Sequence, residues 1–263
     1  HILAQRIIQK IEEILSSGKE DKSKTFKKVE TFAKEIKRRR VEVVKCIARN
    51  VQPLLQDKGS VLLFGYSQTI LTALEMAPPD VKHETEFFVA ECRPKTRYER
   101  GKLKYCDGVA YALELSRIGV KNIWLVPDAS IGNLFSRGMI GKVLIGANGV
   151  DCETGSCGHT AGHSMLVHLA YAKSVPVYVL ADTMKFGELK SSLDLERETC
   201  WLSASEKLLS ELKRKGIKFK NPREDIVDAQ YITLVVTEKG IFPPNQIPRF
   251  LREQCVSRSS TVQ

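Results

Sequence analysis

The stretch that most constrains the fold is residues 143–186, VLIGANGVDCETGSCGHTAGHSMLVHLAYAKSVPVYVLADTMKF. Val143 to Ala147 is apolar and rich in β-branched residues but too short for a buried helix, and Val175 to Ala181 is a second such run, with Pro176 at its entrance. Both read as buried parallel strands. Between them Met165, Leu166, Leu169 and Ala170 fall at helical spacing, behind a loop carrying Gly149, Gly155, Gly158 and Gly162. The unit is therefore strand, glycine-rich loop, helix, strand. A loop that ends at a helix N-terminus presents backbone N–H groups and a positive dipole end, which suits an anion; the competing reading is a plain connector.

The same alternation runs through the rest of the chain from Gly59. Short apolar runs at VLLFGY (61–66), FFVAE (87–91), IWLV (123–126) and ITLVV (232–236) are separated by helical stretches at Ser67 to Met76, Lys104 to Ile118 and Ser130 to Ser136. Such order predicts a parallel sheet covered by helices on both faces. Ahead of it, Ile2, Ile7, Ile8, Ile11 and Leu15 share a helix face that stops at Ser16 and Ser17, and a second helical pattern runs from Thr25 to about Leu55, ended or kinked by Pro53. The expectation is an α/β protein with an N-terminal helical domain over 1–57 and an α/β domain over 58–263. Gly187 to Pro222 reads as a charged excursion, helical at Ala204 to Lys215, before the last strand.

Composition narrows the function classes. No apolar run approaches the roughly 20 residues that span a bilayer, and the opening amphipathic stretch does not read as a signal peptide. Seven cysteines, an odd number scattered through the elements, fit a reducing compartment better than a disulfide framework, so a cytoplasmic location is expected. The net charge of +10 favours an acidic or phosphorylated partner. Direct nucleic-acid binding is not expected, because no aromatic residues interleave with the basic run at Lys37, Arg38, Arg39 and Arg40, which reads as a solvated helix face.

In a parallel sheet, ligands bind beyond the carboxyl ends of the strands. That rule gathers Gly65, Tyr66 and Ser67, then Glu91, Cys92 and Arg93, then Asp128, Asn148, Asp182 and Lys185 around one rim. The first turn, FGYSQT, is not GxGxxG, and no GxxxxGK[ST] occurs, so no dinucleotide or nucleoside-triphosphate cofactor is expected.

At these rim positions the sequence resembles the α, β and δ regulatory subunits of eukaryotic translation initiation factor 2B and their enzyme relatives, ribose-1,5-bisphosphate isomerase and methylthioribose-1-phosphate isomerase. The resemblance lies in VLLFGYSQTIL, FFVAECRP, VPDASIGNLF, VLIGANGV, VLADTMKF and YITLVVTEKGIFPP, between about residues 25 and 253. Each motif is short, and their common order makes the likeness specific. It implies a helical domain followed by a Rossmann-like domain with a mainly parallel sheet that dimerises. The isomerases of the family use a cysteine after the first strand and an aspartate in Gly-Ala-Asp, and the matching positions here are Gly65 and Asn148, which supply neither thiol nor carboxylate. The family's Asn-Lys before Gly-Thr falls in SCGHTAGH and is missing.

The resemblance therefore implies a non-catalytic regulatory subunit. Such a subunit acts through protein contacts in a guanine-nucleotide exchange assembly, as a homodimer or beside paralogous subunits, with Tyr171, Val175 and Ile241 to Pro244 as candidate surface. Its pocket, formed by Gly65, Tyr66, Ser67, Arg93, Asn148, Gly158, His159, Gly162, Asp182 and Lys185, would hold a sugar phosphate or nucleotide by charge-assisted bonds. The alternative is a divergent sugar-phosphate isomerase or binding protein.

Three rival sites stand beside this reading. Cys152, Cys157, His159 and His163 carry zinc-ligand chemistry at the spacing C-x4-C-x-H-x3-H, against a surface loop with two free thiols. Cys92 next to Arg93 offers a nucleophile whose pKa the guanidinium would lower. Asp151 and Glu153 offer a carboxylate pair, against two solvated acids.

Overall fold

The computed structural model describes residues 2–16, 22–92, 96–99, 102–189, 206–218, 222 and 224–250. The chain opens with α1 (Ile2–Ser16) and the long α2 (Lys22–Val51), which tightens into a 3-10 turn over Gln52–Leu55 where Pro53 removes a backbone donor. The α/β part follows with β1 (Ser60–Leu63), α3 (Gln68–Glu75), α4 (Pro79–Glu84), β2 (Glu86–Ala90), β3 (Thr96–Glu99), β4 (Lys102–Cys106), α5 (Asp107–Arg117), β5 (Asn122–Val126), α6 (Ile131–Ser136) and β6 (Lys142–Gly146). It continues with β7 (Gly149–Asp151), β8 (Cys157–Thr160), α7 (His163–Ala172), β9 (Val177–Leu180), β10 (Phe186–Gly187), α8 (Glu206–Arg214), β11 (Glu224–Val227), β12 (Leu234–Thr237) and β13 (Gly240–Phe242).

A seven-stranded sheet in the order β13-β12-β9-β6-β1-β2-β5 organises the molecule, parallel at every pairing except the last hairpin, β12 with β13. Successive residues of β1 face opposite layers. Leu62 and Phe64 join Phe88, Val143, Ile145, Val179 and Val235 beneath α6 and α7. Val61 and Leu63 join Phe87, Val89, Leu144, Leu180 and Val236 beneath α2, α3 and α5. Both faces of the inner strands β1, β2, β6, β9 and β12 are dry, which is why these strands read as continuous apolar runs and not as an alternating pattern, whereas the edge strand β5 leaves Trp124 and Leu125 exposed.

Helix α2 takes part in that second layer, since Val43, Ile47, Ala48 and Val51 pack with Leu63, Ile70 and Leu74. The connection after it is pinned by Lys142, a buried lysine at the start of β6 that pairs with Asp57 and donates to the carbonyl of Leu54 at 2.8 Å.

Two differences from the expected elements bear on the site. The helix expected from Lys104 starts at Asp107, because residues 102–106 pair with 96–99 as an antiparallel hairpin. The glycine-rich segment is not an open loop. Gly149–Asp151 and Cys157–Thr160 pair antiparallel and form, with β10 and the distant β11, a second sheet in the order β10-β7-β8-β11. Strands of three or four residues rich in Gly and Cys carry no apolar alternation, so only long-range pairing reveals them.

Ile47 is fully buried against the sheet. Ile47→Ala is expected to lower stability by about 2–5 kcal/mol, with α2 and the sheet melting in one calorimetric transition; two separate transitions would show that α2 belongs to an independent unit.

Candidate functional site

The chain passes from β1 to β2 and β5 on one side of the sheet, then returns to β6 on the other side of β1. Beyond the carboxyl ends of β1 and β6, at this reversal, lies a cleft of about 200 Å³. The turn after β1 supplies Phe64, Gly65, Tyr66, Ser67, Gln68 and Thr69, and the end of β6 supplies Gly146, Ala147 and Asn148. His159, Thr160 and His163 come from β8 and the start of α7, Lys185 from the turn after β9, and Arg40 from α2. Of the residues expected on the rim, Gly65, Tyr66, Ser67, Asn148, His159 and Lys185 thus meet in one place. Arg93 lies outside the described residues.

Local chemistry explains each placement. Gly65 has φ of +75°, a conformation that disfavours side chains, and its N–H donates to Cys92 Sγ at 2.9 Å. Ser67 is the N-cap of α3 and accepts from the Ile70 N–H at 3.4 Å. Lys185 donates to the carbonyl of Ala147 at 2.7 Å. Burial pushes the Lys185 pKa down, the carboxylate of Asp182 opposes this and the Arg40 charge adds to it.

Several expected contributions fall elsewhere. Asp182 is buried outside the cleft wall, where it accepts from the Met184 N–H at 2.8 Å; burial raises its pKa. The anion site expected at the N-terminus of α7 is already filled: Asp225 Oδ2 accepts from the N–H groups of Gly162 at 2.7 Å and Ser164 at 3.0 Å. Gly162, with φ of +105° and a Cβ position only 2.7 Å from the Phe64 ring, shapes this turn, and Gly158 is a paired residue of β8, its carbonyl accepting from the Asn148 N–H at 2.8 Å. The Cys92 thiol is buried and burial pushes its pKa up, opposite to the expected activation; its N–H donates to Asp128 Oδ1 at 2.8 Å.

The zinc-like cluster is likewise not a surface loop. Cys157, His159 and His163 are buried, Cys152 is half-buried, and among the described residues no group of three or more potential ligands is arranged to hold a metal ion. Asp151 serves the hairpin turn: its Oδ1 accepts from the N–H groups of Glu153 and Thr154 at 3.0 and 2.9 Å, and its Oδ2 from that of Leu189 at 3.0 Å.

Sequence reasoning missed Arg40 and His163 as cleft residues, and, for His159, the stacking that ties it to His163. The basic run on α2 is exposed as expected, yet Arg40 reaches the cleft. His159 and His163, 2% and 4% exposed, stack with ring centroids 4.5 Å apart and planes 17° apart. Both nitrogens of His163 face carbonyl oxygens, Nδ1 that of Thr160 at 2.7 Å and Nε2 that of Phe64 at 3.2 Å. The Nε2 atom of His159 is buried without a hydrogen-bond partner among the described residues.

With this geometry in place, comparison with known proteins settles the family. Residues 3–244 match the sequence profile of the initiation factor 2 subunit family. The chain belongs to that family. It is 26% identical over 219 residues to translation initiation factor eIF2B subunit alpha of Caenorhabditis elegans, an alignment covering 82% of this chain and 64% of that protein. It is 28% identical over 202 residues to ribose 1,5-bisphosphate isomerase of Haloferax volcanii, covering 76% and 57%. It is 28% identical over 250 residues to methylthioribose-1-phosphate isomerase of Thermosipho africanus, covering 86% and 67%.

Among solved structures, the fold is shared with Pyrococcus horikoshii 5-methylthioribose 1-phosphate isomerase (TM-score 0.67, 18% identity, covering 93% of this chain and 68% of that one). It is also shared with translation initiation factor eIF-2B of the same organism (TM-score 0.64, 22% identity, covering 83% and 70%). Initiation-factor subunits and isomerases of this family thus have one architecture, and the architecture alone does not choose between them.

Burial holds the pKa of His159 well below its ordinary 6.5; the neighbouring His163 and Lys185 add to this, and the bond to the Gly146 carbonyl opposes it. The unfolded chain therefore binds a proton near pH 6.5 that the folded chain refuses. Stability contributed by the neutral ring is fully present above that pH and is lost as pH falls, at up to roughly 1.4 kcal/mol per pH unit. His159→Gln is expected to flatten the urea-unfolding free energy between pH 6.5 and 5 relative to the parent; an unchanged slope would contradict the assignment.

Proposed function

We propose that this chain is a non-catalytic member of the initiation factor 2 subunit family. In this reading it holds a phosphorylated small molecule, a sugar phosphate or nucleotide, in the switch-point cleft and acts through contacts with other subunits of a guanine-nucleotide exchange assembly. One observation carries it: Gly65 and Asn148, the positions that match the isomerases' thiol and carboxylate, line one cleft whose remaining walls carry Arg40 and Lys185. A hydrogen side chain and an amide cannot exchange protons as thiol and carboxylate do, whereas a guanidinium and an ammonium suffice to hold a phosphate. A helical domain over 1–57, an α/β domain over 58–263 and a cytoplasmic location belong to the same reading. No helix among the described residues is long and apolar enough to cross a membrane.

Calorimetry with ribose 5-phosphate tests the ligand. Binding at roughly millimolar to micromolar strength is expected, weakened about tenfold by Arg40→Ala and untouched by Lys37→Ala on the same helix. Ribose 1,5-bisphosphate and methylthioribose 1-phosphate are expected not to turn over, and a rate near the enzyme median of about 10 per second would overturn the reading. Equal loss in both variants would reduce the site to generic charge.

Assembly through the α7 side is supported by apolar exposure there. Tyr171, 62% exposed, meets the Tyr231 ring edge-on at 5.2 Å, and Met165 is also exposed; Val175 is half-buried against the layer under α7 and Pro244 is buried, while Ile241, paired with Val236, belongs to the opposite layer. Sedimentation at micromolar concentration is expected to show a dimer or larger species, and Tyr171→Glu a monomer. A parent protein that sediments only as monomer would count against this surface.

A further inference from the structure

Helix α1 is fastened to the turn that carries Lys185. The Arg6 guanidinium donates through Nη1 to the carbonyl of Met184 at 3.2 Å and through Nη2 to that of Phe186 at 2.5 Å, so one forked side chain grips the backbone on both sides of residue 185. One turn earlier, Ile2 is the buried residue of α1 and sits where two glycines leave room: a Cβ at Gly149 or at Gly187 would stand 3.0 Å from its side chain. The rest of the turn is held from within the α/β part. Asp182 Oδ1 accepts from the Met184 N–H at 2.8 Å, and Glu238 Oε2 from the Thr183 N–H at 3.1 Å. Beyond Ile2 and Arg6, α1 is loosely seated, since none of its other side chains is buried and Ile8 and Leu15 are more than half exposed. Such an element detaches at low free energy, and a helix of 15 residues is marginal by itself in water.

We propose that Arg6 is a positioning residue of the anion site: it makes the docking of α1 part of the cleft, so that a bound anion and a docked α1 strengthen each other although α1 does not line the cleft. The inference rests on the anion reading above and assigns its regulation. Lys185 reaches the cleft wall and donates to the Ala147 carbonyl at 2.7 Å, so where its ammonium stands depends on where its turn stands. With α1 docked, the turn is gripped from both sides and the ammonium is preorganised for an anion. With α1 detached, the carbonyls of Met184 and Phe186 lose the guanidinium, and a ligand must pay the ordering of the turn itself. Linkage then requires the anion to tighten α1 by the same factor that α1 tightens the anion. Whatever lifts α1 from its seat weakens the ligand, and the ligand opposes it.

The test uses the whole chain and inorganic phosphate. In the parent protein, phosphate is expected to slow amide hydrogen exchange in α1 about fivefold or more, because a detached α1 unfolds and exchanges freely. Arg6→Gln removes the charged fork and is expected to weaken phosphate in calorimetry by a similar factor, about fivefold or more. Arg6→Lys, a single point of charge that cannot grip two carbonyls at once, is expected not to restore it. A double-mutant cycle separates positioning from charge. In a Lys185→Gln background Arg6→Gln is expected to cost nothing further, whereas a cation that only attracts phosphate would cost the same in both backgrounds. If phosphate does not bind the parent, the anion reading fails and this inference with it. If phosphate binds but leaves α1 exchange unchanged, or binds Arg6→Gln as it binds the parent, or the two losses add, this inference fails alone. The exchange measurement on the parent decides the matter even where Arg6→Gln does not fold.

Discussion

The site exists because the order of strands reverses between β1 and β6. From β1 the chain moves outward to β2 with α3 on one face of the sheet, and from β6 it moves outward the other way to β9 with α7 on the opposite face. Right-handed crossovers demand that arrangement once two neighbouring parallel strands lead in opposite directions. The connections therefore diverge at the carboxyl ends of two adjacent strands, and no backbone closes the gap between them. Gly65 and Asn148 stand in this crevice for topological reasons, before any side-chain chemistry is considered.

What fills the crevice is a set of basic groups kept poorly solvated. Burial disfavours the charged forms of both His159 and Lys185, and the Arg40 charge adds to the effect on Lys185. An anion entering the cleft acts in the opposite sense on both, since an opposite charge at close range favours the protonated forms. The fold supplies such charge elsewhere from within: the free N–H groups at the start of α7, which a ligand anion would otherwise use, are spent on Asp225. Asp225 arrives on β11, which pairs with β8 in the second sheet. The hairpin thus has two jobs, completing the start of α7 and presenting His159 to the cleft.

The sequence made the main sheet legible because its inner strands are buried on both faces and stand out as short apolar runs between helices. The rule for parallel sheets then placed Gly65, Tyr66, Ser67, Asn148 and Lys185 on one rim, and the structure brings them to one cleft. The second sheet was not legible. Cys157 to Thr160 lacks apolar alternation and acquires strand character by pairing with Gly149 and Val150 on one side and with Glu224 to Val227, more than sixty residues on, on the other. Arg40 was hidden for another reason: composition shows that a basic run is solvated but not which of its members overhangs a cleft. The expected activation of Cys92 took sequence adjacency to a cation as the deciding influence, whereas desolvation dominates for a thiol sealed beneath the sheet rim.

The absence of a side chain at residue 65 is itself built into the structure. The backbone there sits at positive φ, its N–H is engaged by Cys92 Sγ, and the place a Cβ would take lies 3.2 Å from His163 Cε1. A cysteine at this position would add the strain of a left-handed backbone, roughly 1–2 kcal/mol, and would press on the His163 ring, whose Nδ1 and Nε2 lie 2.7 and 3.2 Å from the carbonyl oxygens of Thr160 and Phe64. The ring could yield only by leaving its place between those two carbonyls or its stacking on His159. The histidine pair and the glycine are therefore coupled: the space opened by one is occupied by the other. A side chain at residue 65 would require the loop after β1 and the turn before α7 to change together, because His163 stands beside the place it would take.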